Sequence, residues 1–93
     1  MDTYKNKTAL VTGASTGIGR AMAIDLAAQG AELILTARSQ DQLDALAKEI
    51  QGKGGNAHVF LEDLAQLGSA ERLHQQVLTA DLHVDLLINN AGY

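Results

Sequence analysis

The sequence predicts an α/β fold, a parallel sheet wound with helices on both faces, and three observations predict it. Short apolar runs alternate with longer amphipathic ones along the whole chain. The short runs lack the apolar–polar alternation of a half-exposed strand, so burial on both faces is expected. The amphipathic runs are long enough to cross back over the sheet between parallel strands.

The elements follow in order. The first run, Lys7-Thr8-Ala9-Leu10-Val11-Thr12, ends β-branched and stops at Gly13. From Ile18 to Gln29 the pattern turns helical, with Ile18, Ala21, Met22 and Leu26 on one stripe and Gly30 as the stop. Leu33-Ile34-Leu35-Thr36-Ala37 has the length of a buried strand. Gln40 to Gln51 is helical, because Leu43, Leu46, Ala47 and Ile50 fall at i, i+3, i+4 and i+7. Its Asp41, Asp44, Lys48 and Glu49 read as a solvated face, with an Asp44–Lys48 pair one turn apart. Gly52, Gly54 and Gly55 break that helix, and Ala57 to Leu61 is the third strand. Ser69 to about Ala80 is helical again, with Ala70, Leu73 and Val77 on a stripe and Ser69 as the predicted N-cap. Val84 to Asn89 is the fourth strand. With right-handed crossovers this β-α-β-α-β-α-β order makes a doubly wound, Rossmann-like sheet.

Composition narrows the function classes. Ninety-three residues form at most one small domain, covering 1–93, and 46% hydrophobic with 19% charged residues is a globular balance. A net charge of −4 argues against nucleic acid as a partner. The absence of cysteine excludes disulfides and thiolate metal sites. The opening MDTYKNKTALV is charged where a signal peptide needs an apolar core, and no stretch approaches the ~20 apolar residues of a membrane span. A cytoplasmic protein is expected. His58, His74 and His83 have no spacing that suggests a metal site, and Glu62-Asp63 are neighbours whose side chains point to opposite faces of an extended segment.

TGASTGIG, Thr12 to Gly19, lies between the first strand and the first helix. Gly13, Gly17 and Gly19 permit a tight turn and leave no side chain between backbone and ligand. The exposed N–H groups and positive dipole end of the following helix form an anion site, for which a nucleotide diphosphate is the natural guest. After the second strand come Ala37-Arg38-Ser39, with no carboxylate to bind a ribose 2′-hydroxyl. Arg38 offers a fork of donors to a 2′-phosphate and Ser39 a hydroxyl, which favours NADP over NAD. The competing reading of Arg38 is a solvent-facing loop arginine.

The spacing T-G-x-x-x-G-x-G resembles that of the short-chain dehydrogenase/reductase family. Asp63-Leu64 after the third strand and Asn89-Asn90-Ala91-Gly92 closing the fourth match further motifs of that family, in order. The resemblance covers nearly the whole chain and implies its amino-terminal, cofactor-binding half. It implies strand order 3-2-1-4, with the sheet truncated after the fourth strand, whose apolar edge would be left unpaired. It implies cofactor contacts from Gly13, Ser15, Thr16, Gly17, Ile18 and Gly19 in the loop. Asp63 would accept a bond from the adenine amino group, or else be an ordinary loop carboxylate, and Leu64 would offer a backbone contact. Asn90, Ala91 and Gly92 would line the ribose and the approach to the nicotinamide. Asn89 is expected to tie neighbouring strands through its amide. A homo-oligomeric parent is implied as well.

The family's catalytic residues are a serine and a Y-x-x-x-K pair, whose lysine lowers the tyrosine's pKa for proton exchange. Here Tyr4 is followed four residues on by Thr8, Tyr93 is the last residue, and Ser15 and Ser39 belong to cofactor loops. No catalytic residue is therefore assigned. The expectation is the cofactor-binding half of an NADP-dependent oxidoreductase moving hydride between nicotinamide and a carbonyl or alcohol, inactive as this chain alone. The alternative is a non-catalytic module that binds a dinucleotide or docks on a partner.

Overall fold

The computed structural model describes residues 3–15 and 17–90. Its elements are β1 (Thr8–Thr12), α1 (Gly17–Ala28), β2 (Glu32–Ala37), α2 (Gln40–Gly52), β3 (Asn56–Leu61), α3 (Ser69–Thr79) and β4 (Leu86–Asn89). All three strand pairings are parallel and the order is β3-β2-β1-β4, as the family resemblance implies. No helix among the described residues is long and apolar enough to cross a membrane.

The two faces of the sheet are closed by different helices. On one, Ala9, Val11, Leu33 and Leu35 meet Ala23 and Leu26 of α1 and Leu43, Leu46, Ala47 and Ile50 of α2. On the other, Ile34 packs with Leu73 and Val77 of α3, while Leu10, Phe60 and Leu64 are partly buried around them. β2 has a neighbour on each side and a helix layer on each face, so Leu33, Ile34 and Leu35 are all fully buried. Each stabilises the fold by roughly 1.5–3 kcal/mol, which is why this run is continuously apolar.

Several local expectations need correction, among them Ala70 on the α3 stripe, which is exposed. The buried face of α1 is Gly19, Ala23 and Leu26; of the predicted stripe Ile18, Ala21, Met22 and Leu26, only Leu26 is buried, and Ile18 is 70% exposed. Ala23 and Leu26 seat the helix on the sheet, and at Gly19 it lies close to the Gly13 carbonyl and the Asn90 amide. Ser69 is not the N-cap of α3. Gly68 holds that position at φ 81°, and Ser69 is buried with its hydroxyl donating to Glu62 Oε1 at 2.8 Å. The Asp44–Lys48 pair does not form: Asp44 accepts instead from Gln40 Nε2 at 2.9 Å. Glu49 turns away from the solvated face toward α1, where it accepts from Arg20, and it lies 3.5 Å from Lys53 Nζ.

β4 also starts at Leu86 rather than Val84. The cause lies in Asp85, whose carboxylate accepts the Thr8 N–H at 2.9 Å while its own N–H donates to the Thr8 carbonyl at 2.8 Å. A side chain thus takes the bond the strand ladder would have made, and the regular ladder begins one residue later.

Candidate functional site

The parallel register aligns Thr12, Thr36 and Phe60 across β1, β2 and β3, and Thr12 with Asn89 of β4. Every connection leaving the carboxyl ends of the strands therefore departs from one edge, where ligands bind in open α/β sheets. The loop starts are locked to β2: Ala14 N–H donates to the Thr36 carbonyl at 3.2 Å, and Glu62 N–H to the Ala37 carbonyl at 3.1 Å.

Each glycine of the first loop has its own reason to be there. Gly13 and Gly17 stand at φ 61° and 59°, a left-handed conformation that costs other residues about 1–2 kcal/mol. Beside Gly17 no protein atom among the described residues comes within 4 Å of where a Cβ would stand, so the space over its backbone is open. Gly19 is the opposite case. A Cβ there would come 2.7 Å from Asn90 Nδ2 and collide with the Gly13 carbonyl oxygen. α1 thus starts pressed against the loop on one side and uncovered on the other. Its first turn carries no acidic residue, whereas α2 has Asp41 and α3 has Glu71 there. The dipole of α1 is left without a nearby carboxylate of its own, which suits an external anion.

The other predicted positions follow strand ends on the same edge. Arg38 is exposed at the end of β2, and its guanidinium makes no hydrogen bond or ion pair among the described residues. Ser39 caps α2, its Oγ accepting the Gln42 N–H at 3.5 Å. Asp63 is partly buried; its Oδ1 accepts the Ala65 N–H at 3.0 Å and its carbonyl the Gln66 N–H at 2.9 Å, which fixes a tight turn. Leu64 points its side chain into the α3-side cluster. Asn90 N–H donates to the Thr12 hydroxyl at 2.9 Å, and that hydroxyl lies 3.1 Å from Asn89 Oδ1. Asn89 thus joins β4 to β1 through its amide, as expected. Gly13, Ser15, Gly17, Ile18, Gly19, Arg38, Ser39, Asp63, Leu64 and Asn90 all follow strand ends of this edge; Thr16, Ala91 and Gly92 lie outside the described residues.

The profile of the short chain dehydrogenase family matches residues 7–93. The chain belongs to that family. It is 44% identical over 91 residues, 98% of its length, to a fatty acyl-CoA reductase of Acinetobacter baylyi, of which it covers 31%. A metagenomic short-chain oxidoreductase solved in complex with NADP superposes with a TM-score of 0.88 at 40% identity, over 96% of this chain and 40% of that one. L-sorbose reductase of Gluconobacter frateurii, complexed with NADPH and L-sorbose, gives a TM-score of 0.91 at 34% identity, over 100% of this chain and 36% of that one. The chain thus spans about a third of the length of these relatives.

Two polar features of this short chain dehydrogenase segment escape a reading by motif. One is Thr12, whose hydroxyl organises the end of β4. The other is Glu62, with 8% of its side chain exposed, which accepts from Ser69, Arg72 and Gln76. The three donors fall at i, i+3 and i+7 of α3, a spacing that marks one helix stripe and was the available signal. Of the histidines, His58 pairs with Glu32 across β2 and β3 at 2.5 Å. No group of three His, Cys, Asp or Glu among the described residues is placed to hold a metal ion.

Proposed function

We propose that this chain holds NADP for an oxidoreductase acting on a carbonyl or alcohol substrate. One observation carries the reading: a glycine-lined helix start, without an acidic residue in its first turn and with the space over Gly17 open among the described residues, shares a sheet edge with Arg38, which has no partner among those residues. In this reading the N–H groups at the start of α1, with Ser15, Thr16, Gly17, Ile18 and Gly19 around them, hold the diphosphate. Arg38 and Ser39 bind the ribose 2′-phosphate. Asp63 accepts from the adenine amino group and Leu64 supplies a backbone contact. Asn90, Ala91 and Gly92 line the ribose toward the nicotinamide. The relatives solved with NADP and NADPH support the choice of cofactor. When bound, NADP supplies or accepts the hydride.

The sequence contains no Y-x-x-x-K to exchange the accompanying proton, so the chain by itself is expected to bind without turnover. The cytoplasmic site of action and a homo-oligomeric whole protein belong to the same reading, as does the absence of nucleic-acid and membrane partners. Calorimetric titration with both cofactors tests it. The Arg38→Ala change should weaken NADP roughly ten- to a hundredfold, the worth of lost bonds to a charged group, and leave NAD unchanged. Equal losses for both cofactors would remove the assignment of the 2′-phosphate to Arg38.

A further inference from the structure

Glu62 sits between the end of β3 and the loop that carries Asp63. Its environment is unusual for a loop carboxylate. Oε1 accepts from Ser69 Oγ at 2.8 Å and from Arg72 Nε at 3.2 Å, and Oε2 from Gln76 Nε2 at 3.5 Å. Its backbone N–H donates to the carbonyl of Ala37, the residue before Arg38. The carboxylate also faces the start of α3, where the N-cap is Gly68 and no side chain caps the helix. A negative charge brought from seven residues upstream thus answers the helix dipole in place of a cap. Gln76 completes this corner. Its amide NH₂ is turned to Glu62 although Oε1 is then buried without a partner among the described residues.

We infer that Glu62 is a positioning residue for adenine recognition: by clamping the β3–α3 loop to α3 and to the end of β2, it fixes where Asp63 and Leu64 face the base. The inference rests on the dinucleotide reading above. Asp63 and Leu64 have Glu62 as their fixed end. On the other side the chain runs through the exposed residues Ala65, Gln66, Leu67 and Gly68 before it reaches Ser69, which Glu62 also holds. Truncating the Glu62 side chain releases the α3 side of this turn, while the bond from its backbone N–H to the Ala37 carbonyl remains, and leaves the buried Ser69 hydroxyl without its acceptor.

The test compares NADP with its hypoxanthine analogue, which carries a carbonyl in place of the adenine amino group, by titration of the full chain. The wild type should prefer NADP about tenfold or more, from the bond to the Asp63 carboxylate. In Glu62→Ala the preference should fall to near one. In Glu62→Gln it should largely survive, since the amide oxygen still accepts from Ser69 and Arg72. Partial unfolding lowers both affinities by the same factor and leaves their ratio unchanged, so a merely structural role would not move this readout. A tenfold preference that persists in Glu62→Ala overturns the inference alone. A wild-type ratio near one overturns the adenine assignment of Asp63 and the inference with it.

Discussion

The starts of α1 and α2 sit side by side on one sheet edge and are built in opposite ways. α2 begins behind Ser39, whose hydroxyl accepts the Gln42 N–H, and carries Asp41 in its first turn. Its dipole is answered from within the chain, as a helix in water requires. α1 begins at a left-handed glycine, has no acidic residue in its first turn, and places a cation, Arg20, close to its start. By the dipole alone, α1 has the less favourable first turn. The difference teaches that the contrast is localised: among the described residues α2 is finished by Ser39 and Asp41, while in the proposed reading the cofactor's diphosphate completes the start of α1.

The largest effect should come from closing the α1 start sterically. Gly19→Ala gains helix propensity of about 1 kcal/mol. It also drives a Cβ into the Gly13 carbonyl, a backbone atom that cannot swing aside. The overlap should win, with a net loss of about 1–3 kcal/mol in urea unfolding and the disappearance of NADP binding. The contrasting change is Gly52→Ala at the end of α2, where nothing lies within 4 Å of the new methyl. It should be neutral or stabilising by about 0.5 kcal/mol and leave binding alone. Equal behaviour of the two variants would remove the claim that Gly19 is a contact glycine.

A smaller effect should follow from finishing α1 electrostatically. Ile18→Asp puts a carboxylate in its first turn at a position already 70% exposed, so little packing is lost. The unliganded chain should gain ~0.3–1 kcal/mol from the dipole. NADP should weaken about tenfold, because the same carboxylate repels the diphosphate by roughly 1–2 kcal/mol. Stability and affinity would thus move in opposite directions. If both rise, the α1 start is not where the anion binds.

What could be read without coordinates follows from which forces act locally. Apolar runs of strand length and the i, i+3, i+4, i+7 pattern of α2 specify themselves, so the element order and Leu43, Leu46, Ala47 and Ile50 as a buried face were legible. The glycine loop was legible by residue type, since few other uses place three glycines between a strand and a helix. The buried face of α1 was not. Apolar residues occur around much of that helix, and its seating depends on Gly19 meeting Asn90, a contact across the whole chain. Glu62 escaped notice for a related reason. A carboxylate beside another carboxylate looks like solvated surface until α3 folds over it and supplies Ser69, Arg72 and Gln76.

The smallest effect concerns Arg20 and how α1 tolerates a cation there. Glu49, reaching across from α2, pairs with it and is about one-third exposed. The hydrogen bond from Arg20 holds the Glu49 carboxyl below the ordinary carboxylate range; partial desolvation opposes this, and the charges of Arg20 and Lys53 reinforce it. A carboxyl with a lowered folded-state pKa stabilises the fold above its unfolded pKa of about 4.3, and that contribution is lost as pH falls through the lowered value. Glu49→Gln should therefore lower the urea midpoint slightly near pH 7, and the gap to wild type should close as the Glu49 carboxyl becomes protonated in acid. A gap that stays constant over this range would mean that Glu49 acts by packing, and that Arg20 is balanced by something other than charge from α2.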